Sequence, residues 1–427
     1  MRCELSLVRL QCLLQLQCLL QIVALVTVVN LTEVNLALAT NETPKSELMS
    51  DKVARHKIGE QILSVMKKYE VPGGQLCIVK SGRVIYMGAF GFADSELKTP
   101  VSHDNLFRVA SISKVITAIA IWQLIEREQL SPDDKVFELL SDLKPREGAV
   151  VDSRVHEITV SQLLEHSAGF GQMKGDPQFI YQRAAADAFG ETRPCSGVSI
   201  IRMAISDALE FDPGSKSVYS NLGFNILGRV IEKVSHQSYE SFVKQNVLIP
   251  AGIHDMELGR TRIKDQFTKE VWYWQGTDQY DGWSVLGDEA MMVPHPYGAD
   301  FAIEPFDAHG GWIASARDLA CLGAAVDGQP VDNGARTVLQ PKTLRRMLTP
   351  SSFPLNNAAF RAAGVVVTPS RHLWSHTGGM SGTSAFLISY KSDVVLAAVF
   401  NRLPSQGRVE FYDHVDALLN SLARELH

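Results

Sequence analysis

Apolar residues change their spacing along this chain, and each change marks an element. Ile58, Ile62, Val65 and Met66 recur at helical spacing, which predicts a helix ending near Tyr69, where Pro72-Gly73-Gly74 breaks it. The runs 75–80 and 83–86 flank Ser81-Gly82, the pattern of a β-hairpin with a two-residue turn. The segment 115–125 is apolar nearly all round, so that helix belongs inside a large protein. From about 126 to 300, helical patterns alternate with polar loops; 158–165 reads as a short amphipathic helix and 221–234 as a longer one. Residues 262–300 carry Trp272, Tyr273, Trp274 and Trp283 with no period, and read as a long loop or lid. Four β-like runs follow, at 364–368, 373–376, 384–390 and 394–400, and then a closing helix from about 410 to 425. Strands at both ends with helices between predict an α/β (α+β) fold. Its α/β lobe would be built from about 55–110 and 305–427, around an inserted helical lobe at about 111–304.

The first residues have a different character. Arg2 and Arg9 precede an uncharged stretch from Leu10 to Thr32, and Ala37-Leu38-Ala39 offers a small-x-small exit. These are the ingredients of a signal peptide over 1–39. The competing reading is an uncleaved signal anchor, because the stretch is long enough to span a bilayer. An organellar presequence is disfavoured by the sparse arginines and by Glu4. Either of the first two readings predicts an exported chain, periplasmic or secreted, with membrane anchoring through this segment in the second. Residues 40–54 read as a polar linker and 55–427 as the folded domain.

Composition narrows the function classes. Forty-one basic residues against forty-seven acidic ones leave a net charge of −6, so the chain has no cationic field to hold a nucleic acid. Cys77, Cys195 and Cys321 are far apart and form no Cys-x-x-Cys pair, which predicts buried thiols rather than a zinc site or a disulfide scaffold. His156-Glu157 lacks the second histidine of a His-Glu-x-x-His motif because Val160 stands there. No phosphate-binding loop stands in a suitable context, so no metal and no cofactor are expected.

Three short motifs can carry chemistry. Ser111-Ile112-Ser113-Lys114 opens the apolar helix, and residues three apart share a helix face, so an amine can lie against the hydroxyl. Burial lowers the pKa of such an amine and lets it accept the serine proton. Ser64-Lys67 and Ser241-Lys244 have the same spacing, but they lie in ordinary amphipathic stretches where a solvated face explains them. Tyr219-Ser220-Asn221 is the second motif. A phenol near a lysine can shuttle protons, and an asparagine amide can bond both the lysine and a substrate carbonyl. The bland alternative is a core tyrosine followed by a helix cap. His376-Thr377-Gly378-Gly379 is the third, at the end of a β-like run. Its glycines would let a substrate lie along the strand edge, and the Gly379 and Ser111 N–H groups could form an oxyanion hole.

In this order the motifs resemble those of the serine β-lactamase and penicillin-binding-protein superfamily, in the branch of class C β-lactamases, DD-peptidases and family VIII esterases. The resemblance spans about 55–425 and includes the Phe107–Ala110 lead-in, Thr159–Gly169, Pro213-Gly214, Ala251–Ile253 and Gly310–Ser315. It implies a β-lactamase/transpeptidase-like fold with an antiparallel sheet flanked by helices. It also implies Ser111 as acylated nucleophile, Lys114 as its base, Tyr219 as proton shuttle and Asn221 as holder of lysine and substrate. Thr377, Gly378 and Gly379 would bind substrate. His376 stands where many members have lysine; being only partly charged near neutrality, it favours neutral esters or amides over carboxylate-bearing lactams. His166 and His309 read as structural. The implied partner is a small-molecule or peptide-like acyl compound, and the oligomeric state is not legible. The reading from another class is a binding or assembly protein that keeps the fold without catalysis. The presence of serine, lysine, tyrosine and asparagine together argues against it.

Overall fold

The computed structural model describes residues 52–426 except 277–280, 288–290, 300, 332–334 and 391–392. The leader read at 1–39 and the linker up to residue 51 lie outside the described residues. Helix α1 (Lys52–Lys68) starts three residues inside the stretch read as linker, so 52–54 belong to the helix. It leads into strands β1 (Gly73–Lys80) and β2 (Arg83–Gly91). Their turn residues Ser81 and Gly82 have φ of 49° and 70°. Two left-handed residues in a two-residue loop match the twist of a hairpin.

Helix α2 (Ser113–Glu126) is buried from Ser113 to Ile125, as its unbroken apolar sequence demands. Helix α3 (Asn221–Ser235) and the short helix Tyr239–Val243 pack against it, and the short helix Val160–Leu164 packs on α3. Helix α4 (Ala316–Val326) covers one face of the main sheet. The remaining strands of that sheet are β3 (Phe360–Arg361), β4 (Val366–Thr368), β5 (Leu373–Met380), β6 (Thr383–Tyr390) and β7 (Val394–Phe400). Helix α5 (Arg408–Glu425) ends the described chain.

The seven strands run in the order β2-β1-β7-β6-β5-β4-β3, every pair antiparallel. The two ends of the sequence meet at β1 and β7, in register from Gly74↔Phe400 to Lys80↔Val394. The sheet is buried on both faces, and the period of two sorts its side chains. Ile78, Leu396 and Phe400 join Ile62, Met66, Phe411 and Leu419 of the terminal helices α1 and α5. Cys77, Val79, Val395 and Val399 face the other way, into the core shared with α2 and α4. Cys77, Cys195 and Cys321 are buried thiols.

The segment 262–300, read as a long loop or lid, is largely irregular in its described part but not featureless. Its described part contains the paired strands Gly282–Trp283 and Met292–Val293, and the helical turns Ile263–Asp265 and His295–Tyr297. Val271, Tyr273 and Tyr297 are core residues, while Trp283 is 55% exposed. An irregular backbone inserts these rings one at a time, so no period marks them in the sequence.

Candidate active site

The chain approaches Ser111 along a short second sheet. Phe107–Arg108 pairs with Trp312–Ala314, and the Val109 N–H donates to the Trp312 carbonyl at 3.0 Å. Ala110 then adopts φ 47°, a left-handed conformation that costs a non-glycine residue about 1–3 kcal/mol. A 3₁₀ turn, Ala110–Ile112, follows and runs into α2. Side chains three apart eclipse in such a turn, which stacks Lys114 onto Ser111.

The serine hydroxyl is held from two sides. Tyr219 donates its O–H to Ser111 Oγ at 2.7 Å, and Lys114 Nζ lies 3.1 Å from the same oxygen. Lys114 is completely buried, and its Nζ also donates to Asn221 Oδ1 at 2.6 Å and to the His309 carbonyl at 2.8 Å. Burial pushes its pKa down to about 7, against the opposing charge of Asp176. Burial raises the Tyr219 phenol above its ordinary value, which keeps it protonated and able to donate. The other two Ser-x-x-Lys matches differ in this respect. Ser64 and Lys67 are exposed, and Lys244 makes ion pairs with Glu240 and Glu257.

Asn221 is the first residue of α3, whose cap is Ser220. The asparagine is therefore free of capping, and its amide reaches Lys114 on one side and Asp176 Oδ2, 2.6 Å away, on the other. His166 accepts the Ser220 N–H at Nδ1, 3.0 Å, and lies against the Tyr219 ring at 4.6 Å. This fixes the loop behind the phenol and gives the histidine its structural place. The His309 ring bonds Gln178 Oε1 at 3.1 Å, so its contribution to the site is its main-chain carbonyl.

The His376 motif lies on β5, packed against the serine turn. A Cβ on Gly378 would stand 2.1 Å from the Val109 carbonyl oxygen, and one on Gly379 would stand 2.2 Å from the Tyr412 hydroxyl. Gly378 is thus required by the close approach of main chain, whereas at Gly379 the atom met is the far end of a side chain. Tyr412, on α5, donates to the Gly378 carbonyl at 2.8 Å. His376 Nδ1 lies 2.7 Å from the Thr377 carbonyl, which can only accept, so Nδ1 carries the hydrogen. Burial and the charge of Lys114 push the His376 pKa down to about 3, leaving the ring neutral. Thr377 is exposed at the strand edge.

All eight residues singled out from sequence lie on these two elements, β5 and the 111–114 turn, or on the 219–221 segment that faces the turn. Sequence reasoning missed Asp176, Arg361 and the His309 carbonyl. The Arg361 guanidinium sits 5.5 Å from the Tyr219 ring centroid, on the edge strand β3, where nothing in the local sequence marks it. Asp176-Pro177 is legible as a helix start, but not as a partner of a residue forty-five positions away.

A family model described as beta-lactamase matches residues 59–420. The chain belongs to the beta-lactamase family. Over 192 residues it is 30% identical to esterase EstB of Burkholderia gladioli, an overlap of 44% of this chain and 48% of that protein. It thus spans about half the length of the curated relatives it first matches. Among solved structures, the D-amino acid amidase from Ochrobactrum anthropi SV3 superposes with a TM-score of 0.65 at 18% identity, covering 87% of this chain and 100% of that one. The octameric penicillin-binding protein homologue from Pyrococcus abyssi gives 0.63 at 23% identity, covering 87% and 78%. These likenesses show the beta-lactamase/transpeptidase-like fold, with its antiparallel sheet and flanking helices.

Proposed function

We propose that this chain is a serine hydrolase that works through an acyl-enzyme on Ser111. One observation carries the reading: Ser111 Oγ is bonded at once by a buried lysine of lowered pKa and by a protonated tyrosine. Tyr219 fills one lone pair of the hydroxyl, so the serine hydrogen is left to the Lys114 amine. Lys114 takes that proton as Oγ attacks the substrate carbonyl carbon. The oxyanion is received by the N–H groups of Ser111 and Gly379. The tetrahedral adduct collapses by breaking the bond to the leaving group, which takes the Tyr219 proton, and Tyr219 is reprotonated by Lys114. Water then attacks the acyl carbon and passes a proton through Tyr219 to Lys114. Ser111 leaves with that proton, and the free acid is released.

The substrate class is an ester, amide or lactam carbonyl. The neutral His376 ring puts no fixed cation on β5, which favours acyl groups without a carboxylate at that position. Export belongs to the same reading and rests on the sequence of the first 39 residues. A fluorophosphonate probe tests the nucleophile. The protein should take up one label at Ser111, and Ser111→Ala should lose both labelling and turnover of activated esters. Labelling at full strength in Ser111→Ala would defeat the assignment and favour a fold retained for binding alone.

A further inference from the structure

Lys114 Nζ has three partners: Asn221 Oδ1 at 2.6 Å, the His309 carbonyl at 2.8 Å and Ser111 Oγ at 3.1 Å. As an ammonium it gives one hydrogen to each. As an amine it has two hydrogens and one lone pair, and it is useful as a base when the lone pair faces Ser111. The His309 carbonyl can only accept. Asn221 is ambiguous by itself, because an amide can present either its oxygen or its nitrogen. With the nitrogen toward the lysine, the Asn221 hydrogens would draw the lone pair away from Ser111.

We infer that Asp176 is a positioning residue that forbids this flip and thereby aims the Lys114 lone pair at Ser111. Its Oδ2 accepts the Asn221 Nδ2–H at 2.6 Å. Its Oδ1 accepts the Gln178 N–H at 2.9 Å, capping the turn Pro177–Ile180. Burial raises the Asp176 pKa, while the Gln178 N–H, the Asn221 amide and the charge of Lys114 favour its anion. As a carboxylate it has no hydrogen to give, so Nδ2 faces Asp176 and Oδ1 faces Lys114. Two fixed acceptors then commit both amine hydrogens, and the lone pair is left for the serine. Asp176 also faces Lys114 as a negative charge and holds its pKa higher than burial alone would. The inference rests on the acyl-enzyme reading and names what orients its base; Asp176 acts through Asn221.

Asp176→Asn keeps an oxygen for the cap and puts an NH₂ where Oδ2 stood. Two facing NH₂ groups repel, and the Asn221 amide turns over. The rate of fluorophosphonate labelling at Ser111, followed against pH, should fall about tenfold or more on its alkaline plateau. Its acid limb should move to lower pH, because the anion that favoured the ammonium is gone. The other groups at the site do not titrate in that window. His166, His309 and His376 are held neutral by burial, Tyr219 stays protonated, and Arg361 stays cationic although burial lowers its pKa. Loss of packing alone would lower the amplitude and leave the limb in place. Asp176→Ser, whose hydroxyl can cap the same turn, should shift the limb in the same direction and covers the case in which the asparagine variant folds poorly. A plateau at the wild-type rate, or an unmoved limb, overturns the positioning role while the acyl-enzyme stands. A wild-type protein that takes no label at Ser111 overturns both.

Discussion

At the scale of residues, the proposed mechanism depends on where one proton sits. Lys114 must be an amine to accept the serine proton, and burial has brought its pKa to about 7. kcat/KM should therefore rise with pH through about 7 and then level off, falling about tenfold per pH unit on the acid side. Lys114→Met, which keeps the packing and removes the base, should cost about 10²–10⁴-fold in kcat. KM should stay flat over the same range, because His376, with a pKa of about 3, has no charge left to lose there. A KM that climbs as pH passes the ordinary histidine value would show that His376 binds substrate as a cation. The departure from lysine at this position thus has a definite electrostatic consequence. The strand supplies shape and main-chain groups. The cationic groups near the Tyr219 ring are Lys114 when protonated, 4.9 Å from its centroid, and Arg361 on a different strand, 5.5 Å from it.

At the scale of elements, the proposed mechanism needs β5 close to the turn that carries Ser111, and the two are packed together. Gly378 makes this approach feasible, since a Cβ there would meet a main-chain oxygen that cannot move aside. Gly378→Ala should force the strand outward. We expect a loss of about 1–3 kcal/mol in stability by denaturant unfolding, and a fall in kcat larger than that loss would cause by unfolding at working temperature. Unchanged kcat in a folded Gly378→Ala protein would mean that the strand takes no part in the reaction. The serine turn is itself strained at Ala110, and it is held by the Trp312 carbonyl and by the Thr383 hydroxyl, which donates to the Arg108 carbonyl at 2.6 Å.

At the scale of the whole molecule, distant segments converge beneath the site. Arg108 is fully buried; its guanidinium lies 4.2 Å from the Tyr273 ring centroid and 3.7 Å from a Glu270 carboxylate oxygen. It also donates to the Pro296 and Arg260 carbonyls, so one side chain ties the lead-in of the nucleophile to the aromatic segment 262–300. Arg108→Met should cost about 3–5 kcal/mol, because it leaves Glu270 buried without its cation. Arg108→Met with Glu270→Gln should recover part of this. A double variant no more stable than the single one would show that the pair does not act as a unit.

By itself the sequence determined what depends on local pattern. Period two and period 3.6 marked the hairpin, the buried helix α2 and the closing helix, because each element buries a face that its own residues define. The three motifs were legible because their spacing is local: a hydroxyl and an amine three apart, a phenol and an amide two apart, paired glycines at a strand end. The tertiary structure alone decided what depends on neighbours far away in the chain. Burial among other elements lowered the pKa of Lys114, while Lys67, at the same spacing from a serine, is exposed. The partners Asp176, Arg361 and the His309 carbonyl came from loops and an edge strand with no periodic signal. The aromatic segment that read as a long loop or lid is largely irregular, yet Val271, Tyr273 and Tyr297 within it are core, since an aperiodic backbone can bury a ring as well as a helix can. Hydrogen bonds and desolvation act through space, and the chain records spacing only along itself.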